Sequence, residues 1–394
     1  MLRITQAQAL TLRMAALLLP ERRHADGHHG ADRHDGTDRP ADVAGVVTWL
    51  GAMQAQDLAS GLWSFGVRLP DHTVGDVTAA LERREALRTW PMRGTVHFVP
   101  SRDAHWMLDL MGPRALAGAA KRREFLGLSE ELAERALEVL GAELAGGGRL
   151  TRSQCLAVLA DKGIEGAGQF GYHLLWYASQ RGVLCIAPNI GNEQSFVLLD
   201  EWVPDPHRPD REEALATLAL RFFRGRGPAT RQDFAGWTGL TAADAKRGIA
   251  AAGDRLTGVT VEGVEMYLEP ALLATAPSEP HPRPLDTTPA TTDGGEFRVL
   301  PGFDEYLLGY KDRSLMLADE HKPAIIPGNN GVFQATVVRD GRVVGTWKRS
   351  LLKTKVQVVV RPLVPLGTDD LAKIEQAFEG YARFVGRTLE IRPP

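Results

Sequence analysis

The chain has 394 residues, 44% of them hydrophobic, and a formal net charge of −3. That length suggests two or three folding units, and the apolar content is ample for a large core, which excludes general disorder. No run approaches the roughly 20 consecutive apolar residues needed to span a bilayer, and residues 1–20 lack the basic, apolar and cleavage regions of a secretory leader. A cytoplasmic protein without membrane attachment is therefore expected. Cys155 and Cys185 lie in apolar runs, outside any metal-ligand spacing, and are expected as reduced core residues.

In chain order, Thr5 and Gln8 have capping-box spacing and open a first helix. Residues 22–41 are rich in Gly, Asp, His and Arg, with no apolar face to bury, and predict a flexible surface insertion. His24, His28, His29 and His34 fall there without a fixed ligand spacing, so no metal site is expected. A second helix is expected over 43–56 and a further helical stretch over 81–87. A hairpin of 89–92 and 96–99 follows, turning at Arg93-Gly94-Thr95.

This order of elements is the weaker copy of one that recurs twice. Thr151 with Gln154 caps a helix ending at Gly163, a second helix ends near Gly182, and strands follow over 183–186 and 195–199. Helix, turn, helix and two-stranded hairpin is the winged-helix order. It returns as a helix over 211–224, a short helix capped by Thr230 and Asp233 that stops at Gly239, and another capped by Thr241 and Asp244 that stops at Gly253. Strands over 256–261 and 264–268 then turn at Glu262-Gly263. Residues 276–295, rich in Pro, Thr and acidic residues, predict a linker. Beyond it, 333–338, 342–347 and 353–360 alternate as strands, Asp340-Gly341 marks a type I′ hairpin, and a closing helix covers 368–385. The expected fold is α+β: tandem winged-helix (helix-turn-helix) modules over 1–130, 131–205 and 206–275, then the linker and a C-terminal β-rich, barrel-like unit over 296–394.

Positive charge is concentrated despite the near-neutral total. Residues 341–361 carry Arg342, Lys348, Arg349, Lys353, Lys355 and Arg361 with no acidic residue; Lys121-Arg122-Arg123 form a second cluster, and Arg221, Arg224, Arg226 and Arg231 a third. Each suits a phosphate track, because affinity for DNA rests largely on charge and counterion release. Each also suits a solvated strand or helix face kept basic to prevent edge pairing. Beside tandem winged helices, DNA contact is the favoured reading.

Two Gln-Ala-Gln triplets occur, at 6–8 and 54–56. The first is explained by the capping box. The second lies where an apolar helical pattern fades. In a continuing helix, side chains two residues apart diverge by roughly 200° and could not share a site, whereas in an extended segment they face the same way. Gln54 and Gln56 can act jointly only in the extended form; as ordinary surface or capping residues they need no such geometry.

The segments MQAQD at 53–57, LRTWPMRGTVHFVP at 87–100 and LPGFDEYLLGYKDRS at 300–314 occur in this order and together resemble the AlkZ/YcaQ family of winged-helix DNA glycosylases, over nearly the whole chain. The resemblance implies three tandem winged helices with a β-rich C-terminal unit, and a catalytic Gln-x-Gln or Gln-x-Asp triplet. This sequence has the Gln form, like the AlkZ branch, so Gln54 and Gln56 carry over as the catalytic pair. Arg93 and His97 carry over as DNA or lesion contacts, joined from the basic clusters by Arg122, Arg123, Lys348, Arg349 and Lys353. Asp57, Asp304 and Arg313 are further candidates on the matching motifs, Asp57 as a general base. The departure from the family is the His-rich stretch at 22–41.

The chemistry fits carboxamides. An N7- or N3-alkylated purine is cationic, so its departure relieves charge without strong acid catalysis. What remains is to place a water and stabilise the sugar cation, and an amide offers both donor and acceptor atoms for that. The expected activity is therefore a monofunctional DNA glycosylase acting on double-stranded DNA with cationic alkylated purines, bulky adducts or interstrand crosslinks, as a monomer without cofactor. Self-resistance to a DNA-alkylating metabolite is a matching role. The rival readings are a non-catalytic winged-helix regulator, which two glutamines pointing apart or buried in packing would favour, and a protein that binds damaged DNA or a DNA-reactive drug without cleavage.

Overall fold

A computed structural model describes residues 1–19, 39–166, 168–275 and 295–393. The His-rich stretch, apart from Arg39 to Ala41, and the expected linker, apart from Gly295, lie outside them. The first helix–hairpin unit comprises β1 (Leu2–Arg3), α1 (Gln6–Ala16), α2 (Val43–Leu50), β2 (Met53–Gln54), α3 (Leu58–Arg68), α4 (Val74–Glu82), β3 (Ala86–Met92) and β4 (Thr95–Pro100). The Thr5–Gln8 capping box forms as the sequence predicts. Two expectations need correction. The helix expected over 43–56 stops at Leu50, because Gly51 takes φ 77° and turns the chain out of helical geometry. The helical stretch expected over 81–87 stops at Glu82: Arg84 has φ 65°, and Ala86 and Leu87 begin the wholly buried strand β3.

The second unit follows three further helices, α5 (Ala104–Gly118), α6 (Ala120–Phe125) and α7 (Glu130–Leu144), the last with a Ser129 cap and a clear helical apolar period. It continues with β5 (Leu150–Thr151), α8 (Arg152–Asp161), α9 (Gln169–Gln180), β6 (Leu184–Ile190) and β7 (Glu193–Leu198), and ends on the short α10 (Leu199–Trp202). The third contains α11 (Arg211–Arg226), α12 (Arg231–Thr238), α13 (Ala242–Ala252), β8 (Thr257–Val261) and β9 (Val264–Leu268). Its caps are those expected: Thr230 and Asp233 box α12, Gly239 closes it at φ 74°, and Thr241 accepts from the Asp244 N–H. The β8–β9 turn has positive φ at both Glu262 and Gly263, as a type I′ hairpin requires.

The hairpins do not remain separate wings. The first two merge into one six-stranded sheet in the order β2-β4-β3-β6-β7-β5, joined where Arg88 faces Ile186. Arg88 seals the seam by donating to the Ala187 carbonyl (3.1 Å) and to Asn189 Oδ1 (2.7 Å). The third hairpin instead takes β1 as a parallel partner, and α1 packs there in a small core of its own with Val259, Met266 and Leu268.

The C-terminal half-barrel holds β10 (Phe297–Leu300), α14 (Glu305–Leu308), α15 (Lys322–Ile325), β11 (Ala335–Arg339), β12 (Arg342–Leu351), β13 (Lys355–Pro362), α16 (Thr368–Val385) and β14 (Thr388–Arg392). It docks on the first unit through Trp63 of α3, whose ring meets Tyr381 at 5.0 Å and Phe384 at 5.2 Å. The docking is keyed by Asp304, which caps α14 and forms a two-pronged ion pair with Arg68 of α3, at 2.9 and 3.0 Å, with Ser64 donating at 3.1 Å. Arg68 and Asp304 are almost fully shielded from solvent. Removing one partner of such a pair leaves a buried charge uncompensated. Asp304→Ala should therefore lose about 3–5 kcal/mol in urea unfolding; a loss below about 1 kcal/mol, the size of an exposed pair, would contradict this assignment.

Candidate active site around Gln54 and Gln56

The segment that carries the glutamines is held from behind by a buried charge network. Arg226, at the end of α11, donates to the carbonyls of Leu50 (2.8 Å) and Ala52 (3.0 Å) and to Glu305 Oε2 (2.6 Å). Glu305 Oε2 also accepts from the Trp237 indole at 2.8 Å, and its Oε1 accepts the backbone N–H of Gln54 at 3.0 Å. Burial works to raise the Glu305 carboxyl, but the Arg226 guanidinium and the bonds around it outweigh this and hold the group below the ordinary carboxylate range. On the other side, Gly61 lets α3 press against β2: a Cβ there would meet the Phe98 ring at 2.9 Å and the Gln54 carbonyl oxygen at 3.3 Å.

With the chain extended, Gln54 pairs across from His97 of β4, and Ala55 N–H donates to Val96 O at 2.8 Å. Gln54, which ends the two-residue strand β2, is buried, and Gln56, where the chain bends, is exposed. Gln54 Oε1 accepts the Gln56 N–H (2.9 Å), and Gln56 Oε1 accepts the Val96 N–H (3.2 Å). Backbone donors thus fix the orientation of both carboxamides while each oxygen retains a second lone pair.

His97 is fully buried beside them. Its Nδ1 lies 2.8 Å from the Thr95 carbonyl, which can only accept, so Nδ1 carries the proton and Nε2 accepts from Arg93 Nη2 at 3.3 Å. Burial, then the Arg93 charge, push its pKa down to about 3, leaving a neutral imidazole. Arg93 itself is exposed on the β3–β4 turn.

Asp57 is adjacent but already engaged. It caps α3 by accepting the Ser60 N–H at 2.6 Å and pairs with Arg349 of β12 at 3.1 Å. Desolvation acts to raise its pKa, yet the Ser60 hydrogen bonds and Arg349 bring it below the usual value. A helix cap tied to an arginine is poorly placed to collect a proton.

The structure therefore brings together Gln54, Gln56, Arg93, His97, Asp57 and Arg349. Lys348 and Lys353 are exposed on and just beyond β12, flanking the exposed Leu351 and Leu352. Arg122 and Arg123 lie apart on α6, Arg122 bonded to Gln169 and Arg123 to the Leu116 carbonyl (3.1 Å). Asp304 is spent on Arg68, and Arg313 on the Leu307 carbonyl (2.7 Å) while stacking over Phe333. The third basic cluster is not a phosphate track: Arg221 pairs with Asp103, Arg224 donates to the Thr48 and Trp49 carbonyls, and Arg226 is buried, so only Arg231 faces solvent. Glu305, Arg226 and Trp237 were not singled out for the site from sequence; a carboxylate inside the apolar DEYLL segment was the available signal. Among the described residues no cluster of metal-ligating side chains occurs, and no helix is long and apolar enough to cross a membrane.

Comparison with known proteins gives three matches. The family model described as DNA glycosylase AlkZ-like matches residues 47–384. A Streptomyces sahachiroi protein named interstrand DNA cross-link repair glycosylase is 32% identical over 281 residues, covering 66% of this chain and 70% of its own. The solved structure of Streptomyces sahachiroi DNA glycosylase AlkZ has the same fold, with a TM-score of 0.75 at 24% identity over the full length of both chains.

The buried neutral histidine predicts a pH signature. Between 6.5 and about 3 the unfolded chain binds a proton at His97 that the folded chain refuses, so this contribution is complete above pH 6.5 and is lost as pH falls. Each pH unit inside the window removes about 1.4 kcal/mol. Urea unfolding from pH 6.5 to roughly 4.5 should show a steeper loss for the wild type than for His97→Gln, by about one proton; equal slopes would show that His97 is not buried neutral.

Proposed function

The chain belongs to the AlkZ-like DNA glycosylase family, and we propose that it excises cationic N7- or N3-alkylated purines from double-stranded DNA, with Gln54 and Gln56 placing the attacking water. The observation that carries the reading is that the helix ends at Gly51, ahead of the triplet, and the Gln54 and Gln56 carboxamide oxygens are each anchored on a backbone N–H, of Gln56 and Val96 respectively. As a DNA glycosylase it is a hydrolase of N-glycosyl bonds, which sets aside a purely regulatory role.

In the reaction, the bond between C1′ and the base nitrogen breaks and its electron pair neutralises the cationic purine. The sugar is left as an oxocarbenium-like cation. A water accepting orientation from the free lone pairs of Gln54 Oε1 and Gln56 Oε1 attacks C1′ and loses its proton to solvent. The two amides contribute position and dipoles aimed at developing charge, without a proton transfer of their own. Uncharged bases such as uracil lack the leaving-group advantage and should be poor substrates.

Exposure of Gln56 suits a shallow site rather than a deep base pocket. That openness, with the name of the Streptomyces relative, supports bulky adducts and interstrand crosslinks as substrates. Arg93, Lys348 and Lys353, with Arg122 and Arg123 farther along, would bind backbone phosphates of the duplex, the chain acting as a monomer.

Single-turnover release of 7-methylguanine tests this. Gln54→Ala and Gln56→Ala should each slow release about a hundredfold or more, as loss of a preorganised dipole does, with DNA affinity retained. Asp57→Asn preserves a good helix cap and should stay within about threefold of wild type. Full activity in the doubly substituted Gln54→Ala/Gln56→Ala protein would end the assignment.

A further inference from the structure

The sequence suggests His97 as a DNA contact, yet its side chain is wholly buried. It lies in register between Gln54 on β2 and Thr89 on β3, both of them buried as well. A phosphate or base therefore has no access to it. What the imidazole does touch is set by its tautomer. Nδ1–H donates to the Thr95 carbonyl at 2.8 Å, and Nε2 remains an acceptor facing Arg93 Nη2 at 3.3 Å.

Arg93 is the complementary case, a charge without a counter-ion. Among the described residues it forms no ion pair, and its side chain's only hydrogen bond is the one to neutral His97. Glu305 is a carboxylate whose charge reaches it, but that group is already paired with Arg226 at 2.6 Å. The residue as a whole is exposed, so an anion can approach, while the guanidinium end is drawn in against His97. Burial pulls its pKa below the ordinary arginine value, and Arg226 and Arg313 add repulsion against the pull of Glu305. Nor does the turn call for an arginine. Residue 93 has φ 54° and Gly94 φ 70°, the left-handed pair of a type I′ hairpin in which Asn, Asp or Gly usually comes first.

A neutral acceptor is the right anchor for such a group. A carboxylate in place of the imidazole would cancel the charge, whereas the ring nitrogen fixes its direction and leaves the charge to be met from outside. The hairpin that carries Arg93 also holds the glutamines: Val96 N–H donates to Gln56 Oε1, and His97 faces Gln54 across the strands. A phosphate bound at Arg93 is thus referred to the same stretch of backbone as the two amides.

We propose that His97 is a positioning residue: without touching DNA, it aims the Arg93 guanidinium at the phosphate beside the lesion and so sets the sugar over Gln54 and Gln56. Arg93 makes the contact, and His97 gives it direction. The proposal rests on the glycosylase reading of the two glutamines and adds to it the pair that registers the DNA backbone on them.

Two amide substitutions separate the two bonds of the imidazole. Asparagine can place its amide nitrogen near the position of Nδ1 and keep the Thr95 bond, while glutamine reaches the position of Nε2 and keeps an acceptor for Arg93. Single-turnover release of 7-methylguanine from duplex DNA would be measured at saturating protein for wild type, His97→Asn, His97→Gln and Arg93→Gln, with folding checked by urea unfolding. His97→Asn and Arg93→Gln should each slow release about tenfold or more, and His97→Gln should recover to within about threefold of wild type. Each phosphate flanking the lesion would then be replaced in turn by a neutral methylphosphonate. At one of them wild type should slow about tenfold, with no further loss in Arg93→Gln or His97→Asn.

A histidine that only supports the fold gives the reverse order, with His97→Asn as fast as His97→Gln or faster, and that result overturns the proposal. Failure of His97→Gln to fold, although it keeps the Arg93 bond, would do the same. Methylphosphonate losses that multiply with Arg93→Gln, or a wild type indifferent to both replacements, would place the phosphate elsewhere and also overturn it. A wild type that releases no base at all would instead remove the activity proposed for the glutamines, and this inference with it.

Discussion

The ion pair between Arg226 and Glu305 is buried on both sides, with neither side chain more than 2% exposed. Such a pair is stabilising only when its remaining hydrogen-bonding capacity is met, and here it is met by the site itself. Arg226 spends its other donors on the Leu50 and Ala52 carbonyls, while Glu305 takes the Trp237 indole and the Gln54 N–H. The pair thus ties the end of α11, the start of α14 and strand β2 into one body. Gly51 can turn the chain out of α2 because the carbonyls exposed by that turn have a guanidinium waiting for them. Without the pair, Leu50 and Ala52 would present unsatisfied buried carbonyls, and the helix would have reason to continue through Gln54 and Gln56, sending the two amides apart.

The same network keeps the carboxylates and the imidazole of the site from changing charge near neutral pH. Glu305 and Asp57 are both held below the ordinary carboxylate range by their arginines and hydrogen bonds, and His97 stays neutral down to about pH 3. Gln54 and Gln56 do not titrate. A leaving group that already carries positive charge is the kind such a site can expel, since the bond electrons neutralise the base and no acid is required. The selectivity proposed for cationic purines and the chemistry of the residues therefore have one physical origin.

Much of the fold was legible because it is written locally. The Thr151–Gln154 and Thr230–Asp233 boxes, the Gly239 stop and the Glu262-Gly263 turn all formed where the sequence placed them, each being a contact within a few residues. What was misread depends on distant partners. Strand β2 is only two residues long and exists through pairing with β4 and a bond from Gln54 to a carboxylate 251 residues away. Helix α5 carries Gly112, Pro113 and Gly118, which look like breakers until tertiary packing overrides them. The arginines at 221, 224 and 226 cluster in sequence, yet a linear cluster on a buried helix points into the protein and binds carbonyls and carboxylates. For the glutamines, geometry could be posed as a condition from sequence, extended or not, but only long-range pairing decides it.

The most direct test of amide-directed chemistry is the pH dependence of single-turnover excision of 7-methylguanine, from about pH 6 to 8.5, where a titrating general acid or base reveals itself as a limb of slope one. With Gln54 and Gln56 placing the water, and Asp57, Glu305 and His97 all in fixed ionisation states across that range, a flat profile is expected. A rate that rises or falls tenfold per pH unit around an apparent pKa between about 6 and 8 would contradict it and put a titrating residue in the place assigned to the two glutamines.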